Sequence, residues 1–174
     1  MEMDNIYINT KRLVMRQFQD DDINQYISIM TNPNVTQYLG NRKNKTSAEV
    51  LGIMEKFKKL WSENGYGVWA VIEKSSGKII GHCGYMTVEE YGEVELLYAF
   101  DENYWGKGFA TEAAKAAIEY ASLHYNWTKI IAMAYSGNAA SNHILKKLGF
   151  WYDKEITLHG GRLKLYSFNL PNGY

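Results

Sequence analysis

The segment that decides the fold lies past the middle of the chain and reads Tyr104-Trp105-Gly106-Lys107-Gly108-Phe109-Ala110-Thr111-Glu112-Ala113. It follows a strand-like run that ends at Phe100 and leads directly into an alanine-rich segment typical of a helix. Gly106 and Gly108 can adopt positive φ, which permits a tight turn and close approach of a ligand to the backbone. The helix beyond them exposes unbonded N–H groups and the positive end of its dipole. These features predict a site for an anion such as a pyrophosphate, with Lys107 adding a charge.

Two other interpretations of this turn come from its glycines. One is a tight strand-to-helix connection that binds nothing, and the segment alone leaves it open. The other is the dinucleotide-binding pattern G-x-G-x-x-G, which follows the first strand of a βαβ unit. Here Thr111 replaces the third glycine, and the turn follows the fourth predicted strand. The dinucleotide interpretation is therefore disfavoured.

Outward from this turn, hydrophobic periodicity predicts seven strands and four helices. The strands are expected at residues 10–18, 67–73, 79–87, 93–100, 129–134, 150–156 and 162–169. The helices are expected at about 20–30, 46–64, 110–124 and 139–148. Between the first two helices lies a polar hexamer, residues 40–45, that we expect to be a mobile loop. This irregular alternation predicts an α/β (α+β) sheet with helices on both faces, and not a doubly wound fold.

The length, charge and cysteine content of the chain limit the classes of function that it can have. The 174 residues fit a single domain spanning 1–174, and the 19 basic and 19 acidic residues cancel. No global charge therefore attracts nucleic acid or an anionic membrane, and we expect neither as a partner. The single cysteine, Cys83, fits a reducing compartment. The acidic N-terminus lacks the apolar stretch of a signal peptide and no apolar run is long enough to span a bilayer, so a cytoplasmic location is expected.

A second motif follows about 30 residues later. Asn138-Ala139-Ala140-Ser141 precedes a predicted helix that ends in Lys147-Leu148-Gly149-Phe150. Asn138 occupies the N-cap position, so a capping role is favoured, although its amide is also suited to a ligand contact.

Together the two motifs resemble the signatures of the GNAT superfamily of N-acetyltransferases. Trp105-x-x-Gly108-x-Ala110 is similar to the acetyl-CoA signature, and Asn-x-x-Ser followed by Lys-Leu-Gly-Phe is similar to the second hallmark. The longer string around Gly106 resembles the RimJ/RimL-like branch of ribosomal-protein N-terminal acetyltransferases. Trp105 stands where many GNAT members have Gln or Arg, a position at which this branch often has an aromatic residue. The resemblance extends over about residues 65–169.

The resemblance implies a GNAT fold with a central mixed, mostly antiparallel, twisted sheet of about seven strands that is splayed in the middle. It implies acetyl-CoA as co-substrate, with Asn138 on the pantetheine arm. The freed backbone of the splayed strand would also bind pantetheine, through Leu97, Tyr98, Ala99 and Phe100. The pyrophosphate would be bound by the backbone N–H groups of Trp105, Gly106, Lys107, Gly108, Phe109, Ala110 and Thr111.

Attack of an amine on a thioester needs a neutral amine, and this requirement identifies a candidate base. An α-amine has a pKa of about 8 and a lysine amine about 10.4, so a modest base suffices for an α-amine. Glu95, on the fourth predicted strand, is the candidate, since GNAT members often have an acid near this point. Glu93 shares its face by strand alternation and competes for the role. Both are also compatible with ordinary polar positions on a half-exposed strand.

The proton donor to the leaving thiolate is the other role to fill. Many GNAT enzymes use a Tyr seven residues after the Asn, but that position is Leu145 here. The ribosomal-protein branch offers a Ser instead, which makes Ser141 the candidate acid, with Tyr98 and Tyr135 as spare candidates. The alternative for Ser141 is that it is an ordinary hydroxyl in the first turn of the helix. Cys83 has no recognisable base beside it, and the histidines show no metal-ligand spacing, so neither a cysteine nucleophile nor a metal is expected.

The expected function is acetyl-CoA-dependent N-acetylation of a primary amine by direct transfer in a ternary complex. Its acceptor is either a protein N-terminal α-amine or a small amine, such as a polyamine, amino acid or aminoglycoside. A different class of function is a CoA-binding sensor that has lost turnover, a possibility raised by Leu145. The aromatic-rich last strands leave a monomer and a homodimer both open.

Overall fold

The computed structural model describes residues 6–171 and arranges them around one sheet. Its eight strands are β1 (Ile8–Asn9), β2 (Leu13–Arg16), β3 (Val68–Glu73), β4 (Ile79–Val88), β5 (Glu93–Phe100), β6 (Lys129–Tyr135), β7 (Trp151–Leu158) and β8 (Gly161–Asn169). The helices are α1 (Ile23–Met30), α2 (Pro33–Thr36), α3 (Ser47–Asn64), α4 (Phe109–His124) and α5 (Ala139–Lys147). Short 3-10 turns at Asp20–Asp22 and Glu102–Tyr104 precede α1 and the glycine turn.

The sheet is mixed but mostly antiparallel, as the sequence predicted. Its strand order is β1-β2-β3-β4-β5-β6-β8-β7. Every neighbouring pair is antiparallel except β5 and β6, which are parallel and are joined through α4. A parallel pair needs such a crossover connection, and the alanine-rich helix provides it.

Helices cover both faces of the sheet. On one face, Tyr26 of α1 and the α3 residues Met54 and Phe57 form a buried core with β3. On the other face, the small side chains of α4 lie directly on the sheet, and Leu145 of α5 joins the same core. We refer to these as the α1/α3 face and the α4/α5 face. Both contribute fully buried side chains, so the sheet is the middle layer of three.

Local sequence signals account for the boundaries of α3. Thr46 accepts a hydrogen bond from the N–H of Glu49, and the Glu49 carboxylate accepts one from the Thr46 N–H, which is the capping box the sequence predicted. The helix ends at Gly65, whose φ of 72° is the left-handed conformation that glycine tolerates best.

Two elements of the structure differ from the sequence-based expectation. The strand predicted at 10–18 is shorter and is preceded by β1, which raises the strand number from about seven to eight. The four-residue helix α2 was also missed. Two-residue strands and one-turn helices are too short to carry a periodic signal, although Pro33 at the start of α2 and the capping Asn32 before it are typical of a helix start. Across residues 6–171, no helix has the length and apolarity that a membrane span requires.

Candidate active site

The cleft at the centre of the sheet is the first feature of the candidate site. β5 pairs with β4 along its whole length, from Glu93 to Phe100. With β6 it shares one pair of Cα partners, Glu95 and Ile131. Beyond that pair the two parallel strands share no further Cα partners within the described residues, as expected for a splayed sheet. The opening leaves a wedge with Glu95 at its apex.

Alternate residues of β5 direct their backbone N–H and C=O groups into this cleft, while the residues between them bond to β4. The Asp101 N–H donates to the Ile80 carbonyl at 2.8 Å, which fixes the phase of the β4–β5 ladder. In an antiparallel ladder alternate residues bond to the same neighbour, so Leu97 and Ala99 bond to β4. The N–H and C=O of Tyr98 therefore point towards β6, where the splay leaves them without a strand partner. The carbonyl of Phe100 points the same way but accepts the indole N–H of Trp105 at 2.8 Å.

The glycine turn lies at the open end of the cleft and is built as an anion site. Gly108 is the N-cap of α4 with φ 81°, and Gly106 has φ 72°. In the described part of the chain, the N–H groups of Phe109, Ala110 and Thr111 have no acceptor. A helix N-terminus with unbonded donors and its positive dipole end attracts phosphate.

Two neighbouring groups of the turn are already engaged. The Trp105 N–H, which the resemblance included among the pyrophosphate donors, is used in a 3.2 Å bond to the Glu102 carbonyl. Lys107 extends its amine over the Tyr104 ring, 5.6 Å from the centroid. The Lys107 charge therefore stays close to the turn, while the Trp105 N–H is committed to the turn's own structure.

Arg12, which sequence reasoning missed, fastens this turn to the other end of the chain. Its backbone N–H and Nε donate to the two carboxylate oxygens of Glu112 at 2.9 and 2.7 Å. Its Nη1 donates to the Lys107 carbonyl at 2.9 Å, and its guanidinium lies 4.1 Å from the centre of the Phe109 ring. Thr10 adds a 2.6 Å hydrogen bond to Glu112. Burial raises the pKa of Glu112, but these contacts together outweigh it and hold the pKa below its usual value.

The two candidate bases on β5 have different surroundings. Glu93 is paired with the Lys129 amine at 2.6 Å. Glu95 is half-buried and has no hydrogen bond or ion pair within residues 6–171. Loss of solvation raises the pKa of Glu95 from 4.5 to about 7. A carboxyl with a pKa near neutrality is suited to accept a proton, whereas a carboxylate held in an ion pair is not.

The candidate acid lies on the opposite face of the sheet. The hydroxyls of Ser141, on α5, and Tyr98, on β5, are 2.9 Å apart, a bond that spans the splay. Burial raises the pKa of Tyr98 to about 12, so its hydroxyl stays protonated at neutral pH. Asn138 caps α5 by accepting the Ser141 N–H at 3.2 Å, as predicted from spacing, and its amide N–H₂ makes no bond within the described residues. Leu145 is 1% exposed and belongs to the core.

A buried amide holds the start of α5 against the sheet. Asn142 donates to the Tyr135 carbonyl at 3.0 Å and to the Asn138 carbonyl at 2.7 Å. It accepts the Tyr166 hydroxyl at 2.7 Å. Because the amide is nearly fully buried and bonded on both sides, it fixes Ser141 relative to β6 and β8. Sequence reasoning missed it, since its partners Tyr135 and Tyr166 lie on two different strands.

The remaining reactive-looking groups belong to the core. His82 bonds to the buried Tyr26 hydroxyl at 2.8 Å, and burial lowers the His82 pKa to about 3. The Cys83 thiol is buried, and its pKa is raised far above the ordinary value, so it does not ionise near neutral pH. No group of three or more His, Cys, Asp or Glu side chains able to hold a metal is found between Ile6 and Pro171.

Comparison with known proteins places this geometry in a family context. Residues 12–151 match the sequence model described as the acetyltransferase (GNAT) domain. Among curated proteins, the chain is 31% identical to YkkB of Bacillus subtilis over 153 residues, covering 84% of this chain and 86% of YkkB. It is 29% identical to the uncharacterized N-acetyltransferase p20 of Bacillus licheniformis, covering 97% and 96% of the two chains.

Solved structures share the fold. One is RimL, a ribosomal L7/L12 alpha-N-protein acetyltransferase in complex with coenzyme A, with a TM-score of 0.81 at 15% identity. The match covers 95% of this chain and 98% of that one. At this level of identity, the likeness concerns the arrangement of helices and strands.

Proposed function

The chain belongs to the GNAT acetyltransferase family, and from this premise we propose that it transfers the acetyl group of acetyl-CoA to a protein N-terminal α-amine. The observation that carries the proposal is the cleft between β5 and β6, which has a carboxyl at its apex and an anion site at its open end. Both ends of the cleft are thus equipped for one elongated ligand with a phosphate-bearing end.

The residues around the cleft fit acetyl-CoA. The unbonded N–H groups of Phe109, Ala110 and Thr111, with the charge of Lys107, would hold the pyrophosphate. The backbone of Tyr98 and the free amide of Asn138 would hold the pantetheine arm. Bound acetyl-CoA supplies a thioester carbonyl for the amine to attack and a thiolate that leaves.

Glu95 is the proposed base. Its carboxylate takes the proton from the ammonium or attacking amine, directly or through a water. Its pKa of about 7 makes it largely ionised at pH 7.5 while still basic enough to accept a proton. Glu93 is less suited, because its carboxylate is neutralised by Lys129.

Ser141 is the proposed acid, and Tyr98 assists it. The Ser141 hydroxyl donates a proton to the leaving thiolate and regains one from solvent, and the Tyr98 hydroxyl, 2.9 Å away, hydrogen-bonds to Ser141 and orients it. A thiol has a pKa of about 8.5, so its thiolate leaves readily and asks little of the donor. A weakly acidic hydroxyl therefore suffices, although this chain has Leu145 at the position where many family members have Tyr.

An α-amine is the acceptor that best matches this machinery. Its pKa of about 8 lies close to that of Glu95, whereas a lysine at about 10.4 would need a stronger base. The name of RimL, as an alpha-N-protein acetyltransferase, points in the same direction. Direct transfer in a ternary complex is part of the proposal, and it is supported by Cys83, a buried thiol whose raised pKa makes it a poor nucleophile.

The test is release of CoA from acetyl-CoA, followed with a thiol reagent. Peptides with a free Ser or Ala N-terminus should stimulate release, and the same peptides acetylated at the N-terminus should not. Release with polyamines, amino acids or aminoglycosides but not with peptides would move the acceptor to small amines. Binding of acetyl-CoA without transfer to any of these amines would contradict the proposal and favour a sensor.

A further inference from the structure

We infer that Arg42 binds an anionic group of the acceptor, so that the preferred acceptors carry a carboxylate a few residues from the reacting amine. The inference rests on the proposed function and specifies its substrate class. It starts from Tyr135, the last residue of β6. The Tyr135 hydroxyl donates to the Gly40 carbonyl, and the Arg42 guanidinium lies 4.9 Å from the centre of the Tyr135 ring. The polar segment expected to be a mobile loop is thus fastened to the end of β6.

Strand alternation places Arg42 on the same face as Glu95. Ile130, Ala132 and Ala134 of β6 belong to the core on the α4/α5 face. Tyr135 therefore projects from the opposite, α1/α3 face. Glu95 shares its face of β5 with Ala99, which belongs to the core on the α1/α3 face, and with Leu97, which packs against that core. Arg42 and Glu95 thus stand on one side of the cleft, the side from which an amine would approach the base.

The span between the two is compatible with a short peptide. Glu95 is level with Ile131, four residues before Tyr135. At a rise of about 3.3 Å per residue, Tyr135 lies roughly 13 Å further along β6. An extended acceptor with its amine near Glu95 would bring the side chain of its second to fourth residue to Arg42.

The charge at this place is positive and uncompensated. Residues 32–48 contain Arg42, Lys43 and Lys45 but no Asp or Glu. Within the part of the chain that the structure covers, none of these three cations forms an ion pair. Arg42 is exposed, and its planar guanidinium can bind a carboxylate through two parallel hydrogen bonds.

The Arg42 backbone is held in an uncommon conformation. Its φ is 61°, in the left-handed region that residues other than glycine rarely adopt. The Arg42 N–H donates to the Leu39 carbonyl at 2.8 Å, which closes the turn. The segment also lies close to the start of β8, where a Cβ on Gly161 would come within 3.2 Å of Arg42 Nη2. Such constraint is typical of functional positions, because it fixes the direction of a side chain.

The phosphates of acetyl-CoA are a less suitable occupant. The proposed pyrophosphate donors, Phe109 to Thr111, begin α4, which covers the opposite face of the sheet. That site has its own cation in Lys107. Arg42 is therefore available to the second substrate.

The experiment compares acceptor peptides that differ by one charge. Ser-led tetrapeptides with Glu at the second, third or fourth position are paired with the same peptides carrying Gln. For the wild-type chain we expect a KM about tenfold lower for the Glu peptide at one or more positions. Arg42→Ala should remove that difference by raising the KM of the Glu peptide, with the KM for acetyl-CoA unchanged. Arg42→Lys should retain part of the preference.

Lys43→Ala is the matched control, because Lys43 is an exposed cation of the same segment that, among residues 6–171, forms no ion pair and does not lie over the Tyr135 ring. It should leave the Glu preference in place. A Glu-to-Gln ratio that Arg42→Ala does not change would overturn the inference, as would a rise in the KM for acetyl-CoA alone. Peptide acetylation without any Glu preference in the wild type would overturn the inference but leave the proposed function. Failure to acetylate any peptide would contradict both the inference and the proposed function.

Discussion

Glu95 illustrates how a single position on a strand acquires chemistry. Its carboxyl stands where β5 and β6 part, half-buried and unpaired within the described residues, and its pKa rises to about 7. Two residues earlier, Glu93 faces the same side but meets Lys129. The same residue type on the same strand face is thus a poor base at one position and a suitable one at the next, because of its neighbours.

A first prediction concerns the rate. Glu95→Gln removes the base, and we expect kcat to fall by about 10²–10³-fold near pH 7. The deficit should shrink as the pH rises past the pKa of the acceptor amine, because the amine then deprotonates without help. Steady-state rates between pH 6 and 9.5 check this. A loss that is the same at every pH would instead assign Glu95 a positioning role.

A second prediction concerns stability. In the folded chain the Glu95 carboxyl keeps its proton up to about pH 7, whereas an ordinary glutamic acid loses it near 4.5. Between these values the unfolded chain is the more ionised state, so the free energy of unfolding decreases as the pH rises. Glu95→Gln removes this penalty. It should exceed the wild type in free energy of unfolding at pH 8 by on the order of 1–3 kcal/mol, and hardly at all at pH 4.5.

Urea unfolding at the two pH values measures this difference. Glu93→Gln is the matched control, since it breaks an ion pair with Lys129 and should bring no such gain at pH 8. An equal difference between Glu95→Gln and the wild type at both pH values would show that the carboxyl is not desolvated.

At the scale of elements, the turn into α4 depends on two devices. One is Gly108, whose φ of 81° opens the helix towards the cleft. Gly108→Val should lower affinity for acetyl-CoA at least 100-fold, because a β-branched residue does not tolerate this conformation and the turn must change. Calorimetric titration checks the affinity. Gly65→Val is the control: it strains the end of α3 comparably, at φ 72°, but near the C-terminal end of α4, where the Tyr125 hydroxyl donates to the Gly65 carbonyl. Loss of binding in both variants would mean general destabilisation.

The other device is Arg12, which joins the chain's first strands to this turn. Arg12→Ala removes the bonds from its side chain to Glu112 and to the Lys107 carbonyl. We expect the Kd for acetyl-CoA to rise about tenfold while kcat at saturation changes little. Arg12→Lys should not restore binding, because an amine cannot reach both partners as the guanidinium fork does. Lys59→Ala, which breaks a surface ion pair with Glu63, is the control. A kcat effect without a Kd effect would contradict the positioning role.

At the scale of the whole molecule, the sequence predicted the features that depend on neighbouring residues and missed those that depend on residues far apart in the chain. The glycine turn, the capping box of α3 and the N-cap at Asn138 are local, and each was readable from a few neighbouring residues. The separation of β5 from β6 was predicted only through the family resemblance. The bonds from Arg12 to Glu112 join residues 100 positions apart, and Asn142 bonds to Tyr135 of β6 and to Tyr166 of β8. Such contacts exist only once the sheet has formed, so residue spacing carries no trace of them.

The order of the sheet also explains why the cleft persists. β4 and β8 complete the outer hydrogen bonds of β5 and β6, so each splayed strand is supported on one side. The Asn142 amide donates a hydrogen bond to the Tyr135 carbonyl, and the Trp105 indole N–H donates one to the Phe100 carbonyl. The backbone of Tyr98 keeps no strand partner. A buried backbone group without a hydrogen bond destabilises the fold. A ligand that bonds to the Tyr98 backbone removes this cost, and the free energy recovered adds to its affinity.

Hydrogen exchange tests this coupling between sheet and ligand. Saturation with acetyl-CoA should slow amide exchange in segments covering Leu97–Phe100 and Gly106–Thr111 by at least tenfold, because ligand oxygens would accept the unbonded N–H groups. The edge strand β7, whose side chains are mostly exposed, should change little beyond global stabilisation. That global effect is about 2.7 kcal/mol at a ligand concentration 100 times Kd. Gly108→Val should abolish both effects at the same concentration. Protection spread evenly over the chain, with no excess at β5 and the turn, would mean that acetyl-CoA binds elsewhere.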